Sequence, residues 1–287
     1  AELPNLLEAL SRGGSDHLPA LFAAGAVLCR RGLHQHYLEL IDTVTSASID
    51  DDEGALHNAR GFALRRLARF EEANVELERA IELAATHARP SVEASALGNI
   101  ANIAVTRGES HRALALLERA CSLAPAHSAL GAVLDCDRGR VHYMLSDRRR
   151  ARELATRALI THEAVGNARS AARTHSRLAF FALDEAARDE AARDRAREHL
   201  DAALALAEAY GFEDVASMLP IYFGNLARLE RRYDDALAHY QRARLGLQAT
   251  GNTHYAAVVQ LDIAITHALT LDTTWRESLT RARAAAA

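Results

Sequence analysis

Five segments of this sequence each carry two small residues seven positions apart. They are Ala73/Ala80 in "RFEEANVELERAIELA", Ala113/Ala120 in "ESHRALALLERACSLA", and then Ala151/Ala158, Ala196/Ala203 and Ala236/Ala243. The first alanines follow one another at intervals of 40, 38, 45 and 40 residues. Seven residues are two helical turns, so each pair lies on one stripe of an α-helix. A bulky residue recurs between them at Leu77, Leu117, Leu200 and Tyr240, with Ala155 the exception. Upstream of these helices lie other amphipathic helices with a small residue of their own: Gly25, Gly61, Ala101, Gly139, Ala179, Gly224 and Ala264. Glycine inside a helix costs up to about 1 kcal/mol relative to alanine. Its return in register therefore implies packing that needs the missing side chain.

This pattern predicts a stack of about seven antiparallel helix pairs, over 18–46, 53–85, 91–124, 128–163, 168–210, 213–249 and 253–284. The turns inside the pairs fall around Gly32, Ala68, Gly108, Ser146 and Arg231. "AVGN" at 164–167, "AYGF" at 209–212 and "ATGN" at 249–252 read as glycine stops of second helices. "DEAARDEAARD" at 184–194, inside the 45-residue interval, reads as a long charged turn with solvated helix ends. One pair cannot bury its own apolar face, and stacked neighbours bury it for each other. The expected organisation is an N-terminal segment over 1–17 followed by one solenoid domain over 18–287.

Composition supports an all-α reading. Hydrophobic residues make up 49% of the 287 residues but aromatics only 5%, and there are five prolines. All 34 basic residues are arginine. Chemistry that needs a lysine, such as a Schiff base or a phosphate-loop lysine, is thereby excluded. A formal charge of -4 gives no strong pull toward nucleic acid or membrane. Cys29, Cys121 and Cys136 show no CxxC spacing and read as buried thiols outside any disulfide, in a reducing compartment. No run of 18 apolar residues exists, and the start "AELPNLLEALSRGGSD" is not that of a signal peptide. A cytoplasmic location is expected. The missing initiator Met and the ending "RARAAAA" suggest a segment of a longer protein.

The pattern resembles the tetratricopeptide repeat. From Ala94 to Pro125, the residues Ala101, Gly108, Ala113, Ala120 and Pro125 match the family's small, glycine and proline positions, and Phe70 and Tyr233 match its aromatic in other units. The resemblance covers roughly residues 18 to 283. Departures are a period nearer 40 than 34 residues, a missing first-helix Trp and, in most units, a missing closing proline. The 40-residue form is similar to repeats in bacterial signalling and transcription regulators, in peptide-pheromone receptors and in animal spindle-orientation scaffolds. The resemblance implies an all-α, right-handed superhelical solenoid with a concave groove lined by first helices. The family's groove positions map onto Arg30, Asn58, Arg65 and Arg66, then Asn102, Arg140, Tyr143, Met144, Arg173, Ser176 and Phe180, and finally Asn225 and Arg228.

Arginine forks pair bidentately with carboxylates or phosphates. Asparagine amides donate to and accept from a peptide backbone at once. Tyr143, Met144 and Phe180 are expected to supply an apolar pocket beside them. A groove of this kind suits a protein or peptide partner, acidic in one version, or a small anionic effector. Direct nucleic-acid or membrane binding, cofactors and metals are not expected, and homodimerisation through terminal helices carrying Trp275 and Leu279 is a further expectation. Other signals are weak. The histidines of "HQH" at 34–36 point apart on a helix, and "HEAVG" at 162–166 lacks the second histidine of a zinc protease. His142 and His175 read as hydrogen-bonded structural histidines. No GxSxG, P-loop or GxGxxG occurs. The expected function is a non-catalytic binding scaffold or sensor in a bacterial regulator; a chaperone-type adaptor gripping acidic tails is the alternative. Arg140→Ala or Asn102→Ala is expected to weaken capture with little effect on stability.

Overall fold

The computed structural model describes residues 17–30, 33–44, 53–187, 189–249, 253–270, 279–281 and 283. Gly32, Gly251, Trp275 and the side chain of Arg30 lie outside them. The described residues hold helices and no strand, and the chain divides into two compact units, Ala1–Val165 and Gly166–Ala287.

Unit 1 contains four antiparallel pairs: α1 (His17–Arg30) with α2 (His34–Val44), α3 (Glu53–Arg66) with α4 (Phe70–Thr86), α5 (Pro90–Thr106) with α6 (Ser110–Leu123), and α7 (Ala129–Met144) with α8 (Arg148–Ala164). Within each pair, small residues bring the backbones together. Ala73, Ala80, Ala101, Ala113, Ala120, Ala151 and Ala158 are all fully buried, and Leu77 and Leu117 fill the space between the alanines. A Cβ added at Gly61 would stand 2.5 Å from Leu77 Cγ, and one at Gly139 would stand 2.9 Å from the Ala151 carbonyl oxygen. A side chain at either place would force the pair apart.

The turns obey one rule. Ala68, Gly108 and Ser146, which join first to second helices, have φ of 59°, 78° and 66°. The left-handed conformation at each folds the next helix back onto the last. Only Gly108 adopts it without a Cβ penalty. Between pairs, Ala88 and His127 have φ of 52° and 53°. Ser128 then caps α7 by accepting from the Gly131 N–H at 3.0 Å, and Asp147 caps α8 by accepting from Arg150 N–H at 3.1 Å.

Unit 2 begins with the glycine stop Gly166 at φ 68° and Asn167, whose side chain caps the next helix at Ser170 N–H. It contains α9 (Ala168–Glu185), α10 (Glu190–Tyr210), α11 (Glu213–Ala216), α12 (Leu219–Leu229), α13 (Tyr233–Ala249) and α14 (Thr253–Leu269). The alanine stripe continues, with Ala196, Ala203, Ala236 and Ala243 fully buried around Leu200 and Tyr240. Gly211 and Arg231 supply left-handed turns at φ 66° and 60°.

In the charged stretch at 184–194, α9 runs to Glu185 and α10 starts at Glu190, with Arg188 outside the described residues. Arg195 reaches Asp189 at 3.2 Å and Glu185 at 3.4 Å, and Arg193 Nε donates to the Ala186 carbonyl at 2.7 Å. The buried Ala186 and Ala192 bring the two helix ends together. The first helix of the sixth pair is broken after Ala216, because Pro220 has no N–H to offer the Ala216 carbonyl and its ring would crowd it. Of the second helix of the seventh pair, only 279–281 and 283 are among the described residues. No helix of the described residues is long and apolar enough to cross a membrane.

Candidate functional site

First helices α3, α5 and α7 carry a polar ladder across unit 1. Arg65 Nε donates to Asn99 Oδ1 at 3.2 Å, Asn99 Nδ2 donates to Asn58 Oδ1 at 3.1 Å, and Asn58 Nδ2 donates to Ser95 Oγ at 3.1 Å. On the next helix interval, Asn102 Nδ2 donates to Asp137 Oδ2 at 3.0 Å and to the Gly98 carbonyl at 2.9 Å. Arg140 donates to Asn102 Oδ1. The 3.6-residue period puts these groups on one side of each helix, and the stacking of pairs sets them opposite one another.

The ladder brings together Asn58 with Arg65 and Asn102 with Arg140. It also recruits Ser95, Asn99 and Asp137, which the sequence reading missed. Asn99 and Asp137 each stand three residues before a predicted residue, and Ser95 stands one turn before Asn99, so the helical i,i+3 and i,i+4 neighbourhood is the signal that could have found them. Asn99 is 9% exposed and the other members are half-buried. A carboxamide has two N–H donors and an oxygen with two lone pairs. Asn58 uses one N–H and one hydrogen bond to its oxygen within the ladder, which leaves it capacity for a further partner.

Arg65 also lies over the Phe62 ring at 5.3 Å, and the exposed Arg66 donates from Nε to His34 Nε2 at 3.3 Å. Tyr143 carries the Arg148 guanidinium over its ring at 5.0 Å, and Met144 is exposed. His142 contacts Asp147 at 3.4 Å, in keeping with a structural role.

In unit 2, Asn225 and Arg228 converge on one hydroxyl. Tyr240 donates to Asn225 Oδ1 at 2.7 Å and accepts from Arg228 Nε at 3.2 Å, and Arg228 also reaches Asp262 at 3.8 Å. Burial, more than any neighbour, pushes the Tyr240 phenol up to about 12, so it stays a neutral donor. Burial likewise raises the Asp262 carboxyl. Ser176 donates back to the Ala172 carbonyl at 3.0 Å. Arg173 is exposed, and Phe180 is exposed with its ring 6.0 Å from that of Tyr222. His175 Nδ1 faces His199 Nδ1 at 3.0 Å, so a single proton lies between them. Burial first, and then His175 and Arg195, push His199 down to about 4.

Among the described residues no group of three or more His, Cys, Asp and Glu side chains is placed to hold a metal, and no disulfide links the cysteines. Cys29 and Cys136 are buried and Cys121 is half-buried.

No family model matches the sequence, and no curated protein matches it in sequence. Solved structures do resemble it. The Cut9–Hcn1 hetero-tetramer of APC/C aligns over 99% of this chain and 48% of its own at 16% identity, with a TM-score of 0.71. A signal transduction ATPase with a tetratricopeptide repeat sensor, from Pyrococcus horikoshii, aligns over 98% of this chain and 43% of its own at 14% identity and a TM-score of 0.62. The Rap conjugation gene regulator of plasmid pLS20, in complex with the Phr* peptide, aligns over 91% of this chain and 71% of its own at 12% identity and a TM-score of 0.74. This chain spans less than half the length of the first two. The likeness shows the fold: the chain is an all-α solenoid of the tetratricopeptide-repeat type.

Proposed function

We propose that this chain is a non-catalytic binding scaffold or sensor, a module of a bacterial signalling or transcription regulator. Its first-helix face in unit 1 takes a peptide segment. The observation that carries this reading is the ladder of Asn58, Asn99, Asn102 and Arg140. Amides held in fixed positions by their neighbours can grip a peptide backbone through their remaining donors and acceptors without reading its side chains. Arg65, Arg66 and Arg140 beside them favour a carboxylate on the ligand. A relative in fold, the Rap regulator, is itself described in complex with a peptide, which agrees with this reading.

Fluorescence anisotropy with labelled hexapeptides tests it. One probe ends in a free carboxylate and carries two aspartates; the second replaces them with asparagine and ends in an amide. Saturable binding of either probe that weakens at least tenfold in Asn58→Ala supports the scaffold reading. Binding of the acidic probe alone, with affinity falling steeply as salt rises, favours an adaptor for acidic tails instead. Affinity unchanged by Asn58→Ala and Arg140→Ala together would remove the ladder from the site.

A further inference from the structure

The two helices of a pair meet at a repeated slot. It lies four residues before the small residue of the first helix and three residues after the first alanine of the second. In α3 and α4 the slot holds His57 and Glu76, with Nδ1 and Oε2 2.6 Å apart. In α5 and α6 it holds Leu97 and Leu116, which join one apolar cluster. In α9 and α10 it holds two histidines, His175 and His199. A histidine facing a glutamate, or a leucine facing a leucine, completes the slot. Two imidazoles face each other with two nitrogen lone pairs and one proton between them.

Their geometry suits a chelate. The Nδ1 atoms stand 3.0 Å apart, the ring centres 5.2 Å apart, and the ring planes are tilted by 50°. A tetrahedral Zn2+ with Zn–N bonds of about 2.05 Å holds two nitrogens about 3.3 Å apart and their ring centres about 5.2 Å apart. The rings therefore need to part by only about 0.3 Å at nitrogen, with their centres left in place. Cis positions on a square-planar ion would draw the centres to about 4.5 Å, which fits this slot less well.

The surroundings agree. Both histidines are half-buried, so water reaches the slot. Burial first, and then His175 and Arg195, hold His199 at about 4, which keeps its lone pair available at neutral pH. The charge of Arg195 opposes a cation, but it is offset by Asp189 at 3.2 Å and Glu185 at 3.4 Å.

We propose that His175 and His199 bind a Zn2+ ion through their Nδ1 atoms, with water in its remaining positions. The ion takes two lone pairs where the shared proton takes one. The ring that carried that proton on Nδ1 carries it on Nε2 instead, so both imidazoles stay neutral. The bound ion ties α9 to α10. Imidazole nitrogens select Zn2+ over Mg2+, which demands oxygen ligands. The site goes beyond the polar ladder of unit 1 and uses none of its residues.

The test is isothermal titration of the whole chain, stripped of metal, with Zn2+ and separately with Mg2+. Zn2+ should bind saturably and raise the melting temperature; Mg2+ should do neither. His175→Gln and His199→Gln should each weaken the Zn2+ site at least tenfold and abolish the thermal shift. The double variant should be no weaker than either single one, because each removes the chelate. Asn58→Ala should bind Zn2+ as the parent does, so failure of this proposal and failure of the peptide reading are separate results. Helical circular dichroism checks that the variants fold. If they do not, protection of His175 and His199 in the parent from diethyl pyrocarbonate by Zn2+, read by peptide mass mapping, decides in their place. The proposal is overturned if Zn2+ does not bind, if either glutamine variant binds it as tightly as the parent, if Mg2+ gives the same shift, or if Zn2+ leaves both histidines equally modified. The pair would then be a hydrogen bond between two neutral rings and nothing more.

Discussion

The ring of Tyr240 occupies the volume that a side chain at Gly224 would need. A Cβ added at Gly224 would stand 2.5 Å from Tyr240 Cε1. Tyr240 is fully buried, and its hydroxyl is fixed between Asn225 and Arg228, so the ring cannot swing away. Tyr37 lies against Gly25 in the same manner. Where the first helix has alanine, at Ala101 and Ala179, the second helix presents Leu117 and Leu200 in place of a tyrosine.

Gly224→Ala should therefore destabilise the chain by about 1–2 kcal/mol, an overpacking cost that exceeds the helix propensity gained. Tyr240→Leu alone should cost stability through lost packing and leave Asn225 without its donor. The double variant Gly224→Ala/Tyr240→Leu should be less destabilised than the sum of the two. A double-mutant cycle by urea unfolding reads this coupling; additive effects would contradict the close approach.

The left-handed turns give opposite predictions at equivalent positions. Gly108 has φ 78° and nothing near its missing Cβ, so Gly108→Ala meets no clash and should cost about 1 kcal/mol through backbone strain alone. Ser146→Gly, at φ 66°, should relieve such strain. Part of the gain is offset by the extra freedom glycine has when unfolded, leaving about 0.5 kcal/mol of stabilisation. Equilibrium denaturation of the two variants checks the sign.

Asn102 sits at the centre of three hydrogen bonds, and this changes what its substitution should do. A ligand-binding residue on open surface could be truncated with little effect on stability. Asn102→Ala removes the partner of Asp137 and Arg140 and should cost about 1–3 kcal/mol. Arg173→Ala, with no partner among the described residues, should stay within about 0.5 kcal/mol of the parent. Thermal melts of the two variants side by side distinguish a ladder residue from a surface one.

Two histidines should give stability a pH dependence of opposite sign. His57 is held above the usual histidine range chiefly by its hydrogen bond to Glu76, 2.6 Å away, and further by Glu53. A raised folded value means its stabilisation is complete below about 6.5 and fades as pH rises through that value. His199, at about 4 in the fold, stays neutral there while the unfolded chain takes up a proton below about 6.5. Stability should therefore fall as pH drops from about 6.5 toward 4, and His199→Gln should flatten that limb. Melting temperatures at pH 7 and pH 5 for the parent, His57→Gln and His199→Gln test both signs.

Much of the fold was legible in the sequence because its signals are local. The seven-residue offset of alanines, the turn residues Ala68, Gly108, Ser146 and Arg231, and the stops Gly166 and Gly211 all act within one helix pair. The break at Pro220 was equally local and was missed, because the periodic stripe around Gly224 masked a proline that interrupts it. The candidate ladder was only half legible. Asn58, Arg65, Asn102 and Arg140 stand at family groove positions, whereas their partners Ser95, Asn99 and Asp137 come from helices 34 to 41 residues away.

The sequence by itself determined that this chain forms helix pairs, where each pair turns, and which backbones must touch, because a missing side chain constrains packing wherever it recurs in register. Only the tertiary structure decided which amide meets which carboxylate, which apolar stripe faces solvent, and why a tyrosine demands a glycine opposite. Those outcomes depend on the lateral stagger of one helix against the next. That stagger is a balance of side-chain volumes across the whole contact, and no periodicity along the chain encodes it.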